Sequence, residues 1–347
     1  MPNILKKNWL KSNEEKSLLS NYSAVVAAIS DKLQQGQTFL IGAHEHPDGD
    51  ALGSTLALYH ALVARTKDVV AHVPDEPAEF FAFIPGINDL VTEVPAGAQF
   101  DTVVLLDSTQ MYRTHLEDLA RDHDNTIVID HHAGNTEEGK TNLVVPEAAA
   151  TAHILYELFL ALDIPITKDV ATCLLTGIFT DTGSFMHDSV TPDILEIASD
   201  LMNKGARLSH IAHETYQKKD LPALRIWGLA LSRIMLRDKT KAAVSIVTHD
   251  DLQQSGATLD DLTGVVNMLN TLPDTRFAML LVEYEPGKIK GSLRSEPHKG
   301  VDVSAIARRL GGGGHKLASG FEIDGKLEMR DGKWRIDAIE NAIMESL

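Results

Sequence analysis

Apolar positions in the first half of the chain follow two periods in turn. Over 14–35 they fall at Leu18, Tyr22, Val25, Val26, Ile29 and Leu33, a helical spacing that Gly36 ends. A continuous apolar burst at 38–43 then predicts a buried strand. Two more bursts, at 103–106 and 126–129, each run straight into acid: Asp107 after the first, Asp130-His131-His132 after the second. Helical stretches near 51–64 and around Leu116 lie between them. Unbroken apolar strands alternating with helices predict a parallel sheet covered on both faces, and such sheets bind ligands at the carboxyl ends of their strands. Beyond Pro146 the pattern is helical, at 150–162, 168–180, 192–204, 208–216 and 222–236. Strands return at 242–247, 277–284 and 289–294, with helices near 260–270 and 302–310. Trp334 and the apolar positions of 339–343 read as one face of a closing helix. The predicted fold class is α/β: an N-terminal, mostly parallel sheet flanked by helices (1–220), a helical linker (221–240) and a smaller C-terminal α/β domain (241–347). A length of 347 residues agrees with two domains.

Composition narrows the chemistry. A single cysteine, Cys173, in an apolar helical stretch reads as an inert core thiol and excludes a disulfide framework or thiolate-rich metal site. Fifteen histidines and 49 acidic residues leave nitrogen and oxygen as the plentiful ligand atoms. The formal charge of −17 argues against adhesion along a long duplex. With no apolar run long enough to span a bilayer and no signal-peptide pattern, the expectation is a cytoplasmic protein with no membrane partner.

The densest chemistry is His44-Glu45-His46-Pro47-Asp48-Gly49-Asp50. In an extended turn, residues two apart project to one side, so Asp48 and Asp50 present carboxylates about 6–7 Å apart. That spacing lets each serve a different ion of a pair about 3.5–4 Å apart, with His44 at the strand's mouth completing the first site. Asp107, Asp130-His131-His132 and Asp181, in Thr180-Asp-Thr-Gly-Ser-Phe185, add acid at the ends of apolar elements. Buried charges there are costly unless paired or bound to a cation. Carboxylate and imidazole ligands without thiolate suit Mn²⁺, or Mg²⁺ or Co²⁺, better than structural zinc.

The ordered set His44, Asp48, Asp50, Asp107, Asp130-His131-His132 and Asp181 resembles the four motifs of the DHH phosphoesterase superfamily. Gly291-Ser-Leu-Arg-Ser295 and the run Gly311-Gly312-Gly313-Gly314-His315 resemble its DHH-associated nucleic-acid-binding domain. The resemblance implies two Mn²⁺ ions, one held by His44, Asp48 and Asp107 and the other by Asp50, Asp107, His131 and Asp181, with Asp107 bridging. It further implies that His132 faces the substrate phosphate or orients a ligand, and that Asp130 braces the histidines. No Ser or Cys nucleophile is called for, and no Gly-x-Ser-x-Gly occurs. The implied activity is hydrolysis of short oligoribonucleotides to mononucleotides, and removal of the 3′-phosphate of 3′-phosphoadenosine 5′-phosphate. A phosphodiesterase for linear or cyclic dinucleotides is the alternative within the family, and a non-catalytic nucleotide sensor is the alternative outside enzymes. A homodimer is the family's expectation.

The C-terminal motif also changes the reading of charge. Window 286–320 holds seven Lys and Arg against two acids, leaving −22 on the remaining 312 residues. Consecutive glycines expose backbone N–H groups to a phosphate, and Arg294 and His315 add charged donors. Arg294, Ser295, Gly312, Gly313, Gly314 and His315 are therefore the expected substrate-binding residues. A patch of this size suits one or two phosphates of a short strand. His153 is expected to be an ordinary helix-surface or packed histidine, and Phe80, Phe81 and Phe83 a packed loop. His187 could reach substrate, and His46 is open between ligand support and solvent.

Overall fold

Each apolar burst becomes a strand whose side chains alternate between two covered faces. The computed structural model describes residues 17–330, 333, 334 and 339; residues 14–16 and, Ile339 apart, the expected helix at 339–343 lie outside these. The chain divides into two units, Met1–Gln217 and Lys218–Leu347.

In the first unit, α1 (Ser23–Gln35) leads to β1 (Thr38–Gly42), α2 (Gly49–Val63), β2 (Asp68–His72), β3 (Leu90–Val91) and β4 (Thr102–Leu106). A short α3 (Glu117–Ala120), β5 (Thr126–Asp130), β6 (Thr141–Val144), α4 (Thr151–Ala161), α5 (Lys168–Asp181), α6 (Pro192–Asn203) and α7 (Leu208–Ala212) follow. The six strands pair in parallel in the order β3-β2-β1-β4-β5-β6. Phe39, Ile41, Val104, Leu106, Ile127 and Ile129 share one core with α1, α2, α4 and α5. Leu40, Val103, Leu105 and Val128 face the other way, onto Met111, Leu116 and Ala120. The helices thus concentrate on one face, and only short segments cover the other. Strands β2, β3 and β6 lack the apolar run of the central three because they lie toward the edges, where half their positions meet solvent. The expected helix at 208–216 is α7 followed by one π turn, His213–Gln217. No helix among the described residues is long and apolar enough to cross a membrane.

The order in which strands are added to the sheet reverses between β1 and β4. The crevice beyond their carboxyl ends is the place where an open α/β sheet leaves room for a ligand, and here it receives the residues that follow β1, β4 and β5. Close approach of α2 to α5 closes it from one side. A Cβ at Gly53 would lie 2.5 Å from the Cys173 carbonyl oxygen, and one at Gly177 would lie 2.6 Å from Asp50 Oδ1 and 2.7 Å from the Ala152 Cβ. Only glycine permits that distance between the two backbones.

The second unit opens with α8 (Leu221–Ser232), β7 (Met235–Arg237), β8 (Ala242–Val247), α9 (His249–Ser255), α10 (Val265–Asn270) and β9 (Phe277–Glu285). Next come β10 (Lys288–Arg294), α11 (Val303–Arg309), β11 (Gly313–Gly314), β12 (Ala318–Asp324), β13 (Met329–Arg330) and β14 (Lys333–Trp334). A mixed sheet runs β11-β12-β10-β9-β8-β7, with only the β8–β9 pair parallel. Helix α8 occupies the segment expected to be a linker, yet its Ile226 and Ala230 are buried in this unit's core beside Ala243, Val247 and Ala278. Trp334, expected on a helix, instead pairs with Met329 in the β13–β14 hairpin.

Replacing Gly53 by valine should cost about 1–3 kcal/mol of stability in urea unfolding, because the added atoms meet backbone that cannot move aside. Gly228→Ala in α8 is the control: its Cβ position is open, and the exchange should be neutral or stabilising by up to about 1 kcal/mol.

Candidate metal centre

The site is built where three strands end. His44 lies two residues beyond β1, Asp107 directly follows β4, and Asp130 ends β5 with His131 and His132 after it. Helices supply the rest: Asp48 and Asp50 open α2, and Asp181 closes α5. Asp48 is the N-cap of α2, its Oδ1 accepting the backbone N–H groups of Asp50 and Ala51 at 3.0 Å each. This bond orients the carboxylate and leaves Oδ2 for another partner.

Asp107 occupies the centre, 2% exposed. Its Oδ2 lies 3.8 Å from His44 Nε2, and its Oδ1 lies 3.7 Å from His131 Nε2 and 3.6 Å from His132 Nδ1. His131 Nε2 is also 3.5 Å from Asp181 Oδ2. The backbone at Asp107 is left-handed, with φ of 52°, which costs a non-glycine residue on the order of 1–2 kcal/mol. Such conformations persist where the surroundings over-determine them, commonly at functional sites.

Ring nitrogens facing away from the centre are spoken for. His44 Nδ1 is 2.6 Å from the Glu45 carbonyl oxygen, and His131 Nδ1 is 3.4 Å from that of Ala148. A carbonyl only accepts, so Nδ1 carries the proton and each Nε2 offers a lone pair to the cluster. His132 is turned the other way. Its Nδ1 donates to Asp130 Oδ1 at 2.7 Å, and the same oxygen accepts the N–H groups of His131 and His132.

Asp50 is buried and doubly engaged. Oδ2 accepts Thr151 N–H at 2.6 Å and Oδ1 accepts Ala152 N–H at 2.9 Å, so the first turn of α4 grips the carboxylate from a different part of the chain. Each oxygen retains a second lone pair, and Asp50 still groups with His131 and Asp181, as His44 groups with Asp48 and Asp107, with ligand atoms within 4.8 Å of one another. Thr151 Oγ1 meanwhile donates to Asp107 Oδ1 at 3.0 Å. Thr151 and Asn135, whose amide bonds Asp130 Oδ2 and the Ser108 carbonyl, went unrecognised in the sequence. Their only linear signals are a threonine opening an apolar helix and an asparagine three residues beyond a His-His pair.

Electrostatics give the cluster its character. Burial, then repulsion from Asp107 and Asp181, holds the Asp50 carboxyl well above the usual carboxylate range. Asp181 is raised well above it by burial and by Asp48 and Asp107. Asp107 is raised by burial and Asp48, against the pull of the three histidines. Burial opposes charge on Asp130 as well, but hydrogen bonds from His132 and Asn135 outweigh it and lower its pKa. Burial would likewise lower His132, and the bond to Asp130 with the charge of Asp107 overcomes it and lifts the imidazole to about 9.

The donor set fits divalent cations. Separations of 3.5–3.8 Å between imidazole and carboxylate atoms are too long for good hydrogen bonds, and they match two ligands each about 2.0–2.2 Å from a shared ion. Positive charge at these points would remove the repulsion that raises the three carboxyls. Other sequence candidates fall outside. His153 is buried and accepts Ala149 N–H at Nδ1, and burial holds its pKa down near 4, so it is a packed neutral histidine. His46 is 74% exposed along its side chain and pairs with Asp75 at 3.2 Å. His187 Nδ1 bonds the Asp181 carbonyl. Cys173 is buried with its thiol pKa raised. Phe81 is buried, its ring tilted against that of Phe80 with centroids 4.4 Å apart.

In the second unit, Arg294 pairs in register with Ala318, and Gly313 with Gly320. Arg294, Gly313, Gly314 and His315 therefore share one corner of that sheet. Ser295 stands apart in role: it is buried and donates its hydroxyl to the Arg276 carbonyl at 2.8 Å.

Comparison with known proteins places this geometry among relatives. Residues 38–178 match the DHH family, N-terminal domain, and residues 239–342 match the DHHA1 domain. A Thermus thermophilus protein named bifunctional oligoribonuclease and PAP phosphatase NrnA is 33% identical over 291 residues, covering 82% of this chain and 84% of that one. The Bacillus subtilis protein of the same name is 27% identical over 292 residues, covering 82% and 89%. The crystal structure of an exopolyphosphatase-related protein from Bacteroides fragilis superposes with a TM-score of 0.84 at 27% identity, covering 93% of this chain and 96% of that one.

Raised carboxyl pKa values make a prediction for protein stripped of metal. The folded state then binds protons at Asp50, Asp107 and Asp181 more tightly than the unfolded chain does. Their contribution to stability is fully present below the ordinary carboxylate range near about 4 and is lost as pH rises through the raised values. Added Mn²⁺ should therefore raise the melting temperature more at pH 8 than at pH 5. Calorimetric titration near neutrality, in buffers of different ionisation heat, should register proton release. A pH-independent increment with no proton release would contradict the assignment.

Proposed function

The chain belongs to the DHH family, and from that premise we propose that it is a two-metal phosphoesterase that hydrolyses short oligoribonucleotides to mononucleotides and removes the 3′-phosphate of 3′-phosphoadenosine 5′-phosphate. One observation carries the reading: the buried Asp107 carboxylate turns one oxygen toward His44 and the other toward His131, so a single side chain joins two groups of nitrogen and oxygen donors. His44, Asp48 and Asp107 would hold one ion, and Asp50, Asp107, His131 and Asp181 the second. Mn²⁺ is the proposed ion, with Mg²⁺ or Co²⁺ as substitutes. Such ions supply Lewis acidity toward phosphoryl oxygens and an acidified water. The relatives named for oligoribonuclease and PAP phosphatase activity support the substrate class.

Protein groups do the remaining work. With Nδ1 donating to Asp130, His132 would face a phosphate through its other ring nitrogen. Bound cations would offset the charges of Asp107 and Asp181, while the Asp130 bond stays and continues to favour imidazolium, a donor to a phosphoryl or leaving oxygen. In the second unit the glycine run divides by physical demand. Gly311 and Gly314 have positive φ, and a Cβ at Gly312 would strike β12. Gly313 is exposed, and a Cβ there would meet nothing within 4 Å. Neither fold nor packing requires its glycine, which supports close approach of a ligand phosphate. Arg294 at that corner would supply a charged donor and His315 a further hydrogen-bonding group.

A substrate panel with Mn²⁺ tests the reading. The expected result is mononucleotide release from 2–5-mer RNA and inorganic phosphate from 3′-phosphoadenosine 5′-phosphate, with little turnover of long RNA. Turnover of cyclic dinucleotides alone would assign the alternative diesterase, and no Mn²⁺-stimulated release from any substrate would leave a sensor. Asp107→Ala should abolish turnover and weaken metal binding together. Arg294→Ala and Gly313→Ala should fold normally and raise KM for dinucleotides at least tenfold, while changing KM for a small chromogenic phosphodiester by less than threefold. Equal effects on the two substrates would remove the second unit from substrate binding.

A further inference from the structure

Asn135 sits in the loop after His132, half-buried, with all polar atoms of its side chain committed. The orientation of its amide is unambiguous. Oδ1 accepts Glu137 N–H at 2.6 Å, a backbone donor that cannot be reversed. Nδ2 therefore faces the two acceptors, donating to the Ser108 carbonyl oxygen at 2.9 Å and to Asp130 Oδ2 at 2.7 Å. A flipped amide would place one acceptor against two others. The residue's own N–H closes a turn onto the His132 carbonyl at 3.1 Å.

The two acceptors belong to different strand ends. Ser108 follows Asp107, whose left-handed backbone aims the central carboxylate. Asp130 holds His132 through Oδ1, which two backbone N–H groups also engage, and the Asn135 bond to Oδ2 fixes the other end of the carboxylate. One planar –NH₂ group thus ties the peptide after Asp107 to the carboxylate that orients His132. Residue type follows from the chemistry. The position needs two donors on one nitrogen and an acceptor in the same plane at short reach; aspartate lacks the donors and serine has only one.

We propose that Asn135 is a positioning residue for phosphoester cleavage, a strut that sets Asp107 and His132 at a fixed mutual geometry from the loop behind them. The assignment rests on the two-metal reading above, since both residues it acts through belong to that site. It touches neither substrate nor ion. Its effect is on where the ligand and the phosphate-facing imidazole stand, as for other partners that orient metal ligands from behind.

Asn135→Ala, Asn135→Asp and the control Thr136→Ala decide the matter. Thr136 Oγ1 bonds the Thr109 carbonyl and Glu138 in the same loop without reaching Asp130. Two readouts are needed: the electron paramagnetic resonance spectrum and affinity of bound Mn²⁺ without substrate, and kcat and KM for a diribonucleotide. Asn135→Ala should lower kcat or Mn²⁺ affinity by about 10–100-fold, the range for partners that orient metal ligands, with KM within threefold and an altered Mn²⁺ spectrum. Asn135→Asp, isosteric and able to keep the Glu137 bond, should be at least as impaired; it carries the same readouts if the alanine variant fails to fold. Thr136→Ala should match the parent. A folded Asn135 variant with parental kcat and Mn²⁺ spectrum would overturn the proposal, as would equal losses in Thr136→Ala, which would signify general loosening of the loop. Should the parent hydrolyse nothing in the panel, the functional reading falls, and the substrate-free Mn²⁺ measurement still decides whether Asn135 positions the cluster.

Discussion

Three carboxylates, Asp50, Asp107 and Asp181, are gathered at one end of a parallel sheet, two of them almost wholly removed from water. Ionised together and without cations they repel one another in a medium that screens poorly. Much of the first unit can be understood as the means of holding them there. Backbone donors from α4 grip Asp50, the Thr151 hydroxyl takes one oxygen of Asp107, and His44 and His131 present Nε2 to the same carboxylate. An arrangement so costly to assemble is suited to binding positive charge, because the bound ions recover the repulsion that the fold maintains.

That arrangement depends on features far from the acids in sequence. Asp50 and Asp181 lie at neighbouring ends of α2 and α5, and they come together because Gly53 and Gly177 let the two helices meet backbone to backbone. His44 and Asp107 are neighbours because β1 and β4 are hydrogen-bonded partners across the point where strand order reverses. The role proposed for the second unit would rest on different physics: a corner carrying Arg294 and His315 beside Gly313, a glycine that packing does not require, where a phosphate would need exposed donors. Burial dominates the first site and exposure the second.

Much of this was legible in the linear chain. Apolar bursts running into histidine or acid identified β1, β4 and β5 and the edge of the sheet where chemistry belongs, because a buried strand must be continuously apolar and a charge at its end calls for a counter-ion. The ordered acids and histidines predicted candidate donors, and the fold brings His44, Asp48 and Asp107 into one group and Asp50, His131 and Asp181 into another. The outer strands β2, β3 and β6 were not legible, since half-exposed strands carry no such run. Trp334 misled because an aromatic among apolar neighbours looks alike on a helix or in a hairpin.

What the sequence determined by itself is the inventory: which candidate donors for a divalent ion the chain carries, in what order, and at which strand ends. Tertiary structure alone decided how each is held. The α4 amides on Asp50, the hydroxyl of Thr151 on Asp107 and the amide of Asn135 between Ser108 and Asp130 all bridge segments that are separate in the chain. Periodicity reports burial, which is a property of one segment. Orientation comes from hydrogen bonds between segments, and their direction exists only once the strands have paired and the helices have packed.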